Sequence, residues 1–253
     1  MNNSKVIFAR ESVNKFYDDT SPEVWKKVIG EDLHYHIGWG DGDIFYNSIK
    51  YLYKFIPKKS TVLDCGCGWG GTGKVIKRDL ECKTTGVTIS KTQFDYIKNN
   101  NLFDVFHNDL HEFKPNKQYD ICLFIESFCH LENPLKVISN LSNSTNKIIL
   151  REYHLKSSIH HKKYSDAWMM NMYGKNIIIS MFNDYGFNLT YEDEHYDYGL
   201  EPTLDLWLSN LKNIDKKDKT PHIRTLEISA KYLKKNLKNI LNDIGLSTLV
   251  FEK

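Results

Sequence analysis

Along this chain, stretches of helical spacing separate short runs that are apolar almost throughout. Val6, Phe8, Val13, Phe16 and Tyr17 fall on one side of a helix over 4–19. Ser21-Pro22 opens a second helix that reaches Gly30. Leu33 to Gly40, aromatic, histidine-rich and broken by glycine, predicts irregular chain. Ile44 to Ile56 predicts an amphipathic helix closed by Pro57. Strand and helix then alternate. Strands are expected at 60–65, 83–87, 104–107, 119–125 and 147–151, with helices ending near Leu80 and starting at Lys91 and at Asn133-Pro134. Such alternation predicts βαβ units and a parallel sheet.

Past residue 151 the order loosens. Tyr153 to Lys175 is so rich in His, Tyr, Trp and Met that it cannot all be core, and it predicts a lid. A helix follows toward Tyr185-Gly186, then a strand over 187–192. One or two lysine-rich helices span 211–238, with a solvated face explaining most of the lysines. A last strand at 247–251 is expected antiparallel at the far side of the sheet. The expectation is a single α/β domain over 1–253: a Rossmann-like, seven-stranded, mostly parallel sheet with helices on both faces. A helical flap would occupy 1–57, a ligand-binding core 58–152, the lid 153–175, and helical additions 176–253.

The stretch Thr61 to Gly73 reads TVLDCGCGWGGTG: a short apolar run, Asp64, then glycines at 66, 68, 70, 71 and 73. Without a Cβ the backbone reaches positive φ and comes close to a ligand. The helix that resumes at Lys74 turns its free N–H groups toward the same place. Gly66, Gly68 and Gly71 also satisfy the dinucleotide fingerprint, which makes a nicotinamide or flavin oxidoreductase an alternative. That fingerprint asks for an acid about 20 residues on. The region instead reads GVTISKTQ from Gly86 to Gln93. The acid stands before the turn, at Asp64. There it would repel a pyrophosphate and suit a ligand with positive charge and amine donors, such as a sulfonium amino acid.

Composition narrows the picture. The chain has 253 residues, 41% of them hydrophobic, enough for one large core. Thirty-four basic and 32 acidic residues leave a net charge of +2, so no strong field steers it to nucleic acid. No apolar run approaches the ~20 residues of a membrane span. The opening MNNSKVIFARES lacks a signal-peptide pattern. Cysteines at 65, 67, 82, 122 and 129 suggest no disulfide framework, and a reducing cytoplasm is the expected compartment. Cys65 and Cys67 have no companion pair, and His34 and His36 lack further ligands, so no metal is expected.

DCGCGWGG resembles the first motif of class I S-adenosylmethionine-dependent methyltransferases. GVTISKTQ is similar to the second-strand segment of their cyclopropane fatty acid synthase, mycolic acid and coclaurine N-methyltransferase branch. The resemblance runs in pieces from Phe16 to Trp207. It implies S-adenosylmethionine as methyl donor, with Asp64 and Gly66 at its amino-acid part, Gly68 where the backbone approaches it, and Thr88 and Gln93 at the ribose side. Ser90 is placed in the donor site too, although Ser90 and Gln93 also form a capping box. Asp109 would face the adenine, or simply make an Asx turn. Leu110 and Ile125 complete the donor set, with Tyr35 and His36 of the flap touching it. Tyr17 matches a family tyrosine near the reacting centre.

Glu126 and His130 resemble the branch's E-x-x-x-H pair at the acceptor pocket. If a helical turn follows the fourth strand, they face the same way and the carboxylate raises the basicity of the imidazole; Glu126 or His130 could then hold the acceptor or deprotonate it as general base, the alternative being a purely structural pair. The segment from His195 to Trp207 resembles the family's wall beside that pocket. The Asn/Asp-Pro-Pro-aromatic motif of nucleic-acid amino-methyltransferases is missing, which disfavours a base as acceptor. The expectation is methylation of a small molecule or peptide, with N-methylation favoured, no nucleic acid partner and no membrane insertion. C-methylation or cyclopropanation of a lipid or isoprenoid chain is the alternative, with Tyr17, Tyr35 and Trp39 steadying a carbocation. A non-catalytic ligand-binding module lies outside the class, and turnover separates it.

Overall fold

The computed structural model describes residues 10–157 and 168–253, so Val6, Phe8 and much of the expected lid, including His160 and His161, lie outside the described residues. Helices α1 (Arg10–Tyr17) and α2 (Pro22–Ile29) precede the irregular flap loop. α3 (Ile44–Lys50) is shorter than its apolar pattern, because the chain tightens into a 3-10 turn over Tyr51–Phe55 ahead of Pro57. There follow β1 (Thr61–Cys65), α4 (Gly71–Leu80), β2 (Lys83–Thr88), α5 (Lys91–Asn99), β3 (Asp104–His107), β4 (Ile121–Ile125) and α6 (Pro134–Leu141). The second half comprises β5 (Lys147–Leu155), α7 (Lys175–Asn183), β6 (Asn188–Glu194), α8 (Tyr196–Leu211), α9 (Pro221–Lys235), α10 (Leu237–Asp243) and β7 (Ile244–Glu252).

The described residues form a seven-stranded sheet in the order β3-β2-β1-β4-β5-β7-β6. β7 is antiparallel to both β5 and β6, and the other ladders are parallel. The last strand therefore does not lie at the outer edge. It is inserted between β5 and β6, from Lys147 opposite Glu252 to Leu155 opposite Ile244. That long ladder draws β5 on to Leu155, so Tyr153 to Leu155 are sheet and not lid.

Central strands read as unbroken apolar runs because both of their faces are covered. Leu63, Cys122 and Phe124 pack under α6 and α7. Val62, Leu123 and Ile149 face α3 and α4 through Ile49, Leu52, Val75 and Ile76. A third core joins the flap to the C-terminal helices: Trp25, Leu33 and Met172 pack with Leu204 and Trp207 of α8 and Leu226 and Leu233 of α9. Met170 and Met172 are both buried, so part of the expected lid is core after all. In α9 the lysines face outward while Ile223, Leu226, Ala230 and Leu233 form one buried stripe.

Candidate functional site

Parallel strands leave a crevice beyond their carboxyl ends where the strand order reverses. Here the reversal lies between β1 and β4, and Asp64 and Glu126 sit on its two sides. The turn after β1 is fixed by the Gly66 and Cys67 N–H groups, which both donate to the Val87 carbonyl. Gly66 has φ +78°, and a Cβ there would stand 2.7 Å from the Ser127 Cβ. Gly68 has φ +55° with nothing within 4 Å of where its Cβ would be. Its missing side chain thus leaves open space for a ligand against the backbone. The crevice deepens into a cleft of about 990 Å³, mouth included.

Tyr17, Tyr35, His36, Asp64, Gly66, Gly68, Thr88, Gln93, Asp109, Leu110, Ile125, Glu126 and His130 all line that cleft. Asp64 is 2% exposed, and its buried Oδ2 has no hydrogen-bond partner among the described residues. An orphaned buried carboxylate oxygen is costly unless a ligand completes it. Burial pushes the Asp64 pKa up to about 7. Above that pH the carboxylate is ionised and awaits a cation; below it the acid is neutral and offers an ammonium much less. S-adenosylhomocysteine, which carries the ammonium, should therefore raise the melting temperature more at pH 8 than at pH 6. Equal shifts at both would mean that Asp64 does not meet the amine.

Thr88 Oγ1 donates to Gln93 Oε1 at 2.7 Å and accepts the Ser90 N–H at 3.2 Å. The capping box is thus half made. Ser90 Oγ takes the Gln93 N–H, but Thr88 occupies the Ser90 N–H that the Gln93 side chain would have reached. With Oε1 turned to Thr88, the amide nitrogen is the donor Gln93 has left for a diol. Ser90 itself does not line the cleft. It is fully buried and donates to Asp18 just beyond α1, so it caps α5 and ties the flap to it. Ser90→Ala should cost about 1 kcal/mol of stability, read by urea titration, and leave donor affinity nearly intact. A pronounced loss of affinity at unchanged stability would restore Ser90 to the donor site. Asp109 both lines the cleft and makes the Asx turn, accepting the His111 N–H at 2.9 Å and meeting His111 Nδ1 at 2.6 Å.

A second cavity of about 460 Å³ adjoins the first and shares Tyr17, Tyr35, His36, Glu126 and His130 with it. Its remaining wall is apolar and aromatic: Trp168, Met170, Trp207 and Leu233, with Tyr153 and Ile37. The Tyr35, Trp168 and Trp207 rings stand 6.0 to 6.3 Å apart. Trp39 lines neither cavity. It stacks on His195 at 4.6 Å and packs against the tilted ring of Tyr51 at 4.1 Å.

The expected Glu126–His130 partnership is not formed. His130 Nε2 meets the Tyr17 hydroxyl at 3.0 Å and its Nδ1 meets the Met169 carbonyl at 3.2 Å, so both ring nitrogens are taken. With no carboxylate beside it, burial pulls the His130 pKa down to about 4, the opposite of the basicity the sequence suggested. Glu126 instead pairs with Arg151 Nη1, accepts the Tyr153 hydroxyl at 2.7 Å, and takes the Ile37 N–H through both oxygens. Burial raises its pKa against the pull of Arg151. It sits at φ +52°, a conformation a non-glycine residue keeps only when its surroundings demand it.

Several residues of this corner escaped the sequence. Arg151 and Tyr153 looked like strand and lid, and only the β4–β5 pairing brings them to Glu126. Glu152, held up to about 7 by burial, accepts the Cys129 N–H at 3.1 Å and so steadies the turn carrying His130. Leu233 was hidden in a lysine-rich helix, though the helical spacing of its apolar stripe was a readable signal.

Comparison with known proteins places this geometry. Residues 45–192 match a family model described as a methyltransferase domain. Over 94 residues the chain is 36% identical to (S)-tetrahydroprotoberberine N-methyltransferase of Eschscholzia californica, a match covering 34% of this chain and 27% of the relative. Over 96 residues it is 30% identical to 2-methyl-6-phytyl-1,4-hydroquinone methyltransferase of Synechocystis, covering 33% and 30%. The match thus spans less than a third of either relative's length. Among solved structures, a cyclopropane synthase of Mycobacterium tuberculosis superposes with a TM-score of 0.82 at 17% identity, covering 100% of both chains. A coclaurine N-methyltransferase bound to N-methylheliamine and SAH gives 0.81 at 16% identity, covering 99% of this chain and 84% of the other. At those identities the likeness speaks to fold alone. No described helix is long and apolar enough to cross a membrane. With more than half of its length matched, the chain belongs to the methyltransferase domain family, and its fold is that of the class I S-adenosylmethionine-dependent members.

Proposed function

We propose that this chain is an enzyme that transfers a methyl group from S-adenosylmethionine to an amine nitrogen of a small molecule or peptide with an apolar, aromatic-compatible body. The observation that carries this reading is the pair of adjoining cavities sharing Tyr17, Tyr35, His36, Glu126 and His130. In the larger one, Asp64 would hold the donor's ammonium, the Gly66–Gly68 turn its amino-acid part, Gln93 with Thr88 its ribose and the Asp109–Leu110 segment its adenine. When bound, the donor supplies an electrophilic methyl on a positively charged sulfur. The chain's own work is to align the acceptor nitrogen with that methyl and to exclude water. Trp168, Trp207, Met170 and Leu233 would seat the acceptor's body. Glu126, saturated by Arg151, Tyr153 and Ile37, would hold the shared wall in place and move no proton.

The names of the relatives support an N-methyltransferase but also include a hydroquinone methyltransferase. C-methylation of an apolar chain is a second reading, favoured by the aromatic lining, which steadies positive charge. The test is a screen of amines, peptides, phenols and lipids with isotope-labelled donor, following label and the gain of one methylene in mass. Labelled amines would support the first reading and labelled carbon the second. No transfer, despite tight donor binding, would leave a ligand-binding module.

A further inference from the structure

Directions of hydrogen bonding at the shared wall follow from geometry. A carbonyl only accepts, so His130 Nδ1, 3.2 Å from the Met169 oxygen, carries a hydrogen. A neutral imidazole has one, so Nε2 is bare and accepts from the Tyr17 hydroxyl at 3.0 Å. The single proton of Tyr17 is thereby committed to His130, and the lone pairs of Tyr17 Oη remain. Tyr17 borders both cavities, where a transferring methyl and its acceptor would meet.

We propose that Tyr17 Oη is a hydrogen-bond acceptor for the cationic reacting centre, and that His130 is a positioning residue that keeps the Tyr17 proton turned away from it. Neither residue is a base. Burial holds His130 neutral, with a pKa of about 4, and pushes the Tyr17 phenol well up. A tyrosine free to rotate could point its proton at the positive sulfur and repel it. His130 removes that choice, and its own tilt is fixed by the Met169 carbonyl. The arrangement favours ligands with positive charge or N–H donors at this point. An incoming amine that keeps its proton as it gains the methyl would leave as an ammonium, still donating to Tyr17. This inference rests on the donor-site reading above and asks more of the same site.

The test compares two probes by calorimetry. S-adenosylhomocysteine has a bare sulfur, whereas sinefungin carries an ammonium where the methyl would stand. Tyr17→Phe should weaken sinefungin about 10-fold or more, the range of a hydrogen bond to a charged group, and leave S-adenosylhomocysteine nearly unchanged. The ring contacts of Tyr17 with Phe16, Tyr35 and His222 survive that change, so the fold should hold. His130→Phe should give the same selective loss although Tyr17 is intact, and His130→Gln, whose amide oxygen can accept the phenol proton, should recover part of it. An unchanged ratio of the two affinities in Tyr17→Phe overturns the inference, and so does an equal loss of both probes. Wild-type protein that binds neither probe would defeat the donor reading and this inference with it.

Discussion

Gly68→Val is expected to lower affinity for S-adenosylhomocysteine about 100-fold, roughly 2.8 kcal/mol. Two effects act together. At φ +55° a branched side chain is strained by about 1–2 kcal/mol, and relief would pull the turn away from the ligand. The new methyl groups would also enter the open space in front of the backbone, since no protein atom within 4 Å would stop them. The fold should survive for that same reason. Gly66→Val is the contrasting case: its Cβ would strike Ser127, 2.7 Å away, so it should lose stability as well. Calorimetry with unchanged affinity in a folded Gly68→Val protein would place the donor elsewhere.

Glu126→Ala is expected to act first on stability. Arg151 is fully buried, and Glu126 is its ionic partner. Breaking a buried pair from one side typically costs about 3–5 kcal/mol, because the remaining charge stays in the protein uncompensated. At roughly 2–4 °C per kcal/mol for a chain of this size, that is a fall of about 6–20 °C in melting temperature. Tyr153 and the Ile37 N–H lose their acceptor in the same step. Glu126→Gln keeps an acceptor for those two donors and should recover part of the loss. A general-base role predicts another pattern: melting temperature unchanged in both variants and turnover abolished in both. Thermal denaturation alone separates the two.

The glycine turn and the alternation of strand with helix were legible because each has a local cause. Asp64 declared itself by standing before the turn in place of an acid after β2. The second cavity was less legible, because Trp168, Trp207 and Leu233 come from segments far apart in sequence. Glu126 shows the limit most clearly. Spacing within its own segment suggested His130 as partner, yet β5 lies beside β4, and Ile125 stands opposite Arg151. A non-local charge prevailed over a local one. His154 is a similar case: it read as lid, but lies buried in β5 opposite Gly245, where a Cβ would come within 2.3 Å of its ring.

Helix α1 contributes Val13 and Tyr17 to the cleft and is tethered beyond its end on two sides. Asp18 accepts the Ser90 hydroxyl and the Thr92 N–H at the start of α5; Asp19 accepts the His222 N–H, 2.8 Å away, at the start of α9. Any displacement of α1 wide enough to clear the cleft parts Tyr17 from His130 in the same movement. On the proposed reading, the eight residues of α1 would couple access to the cleft with the arrangement of its reacting centre.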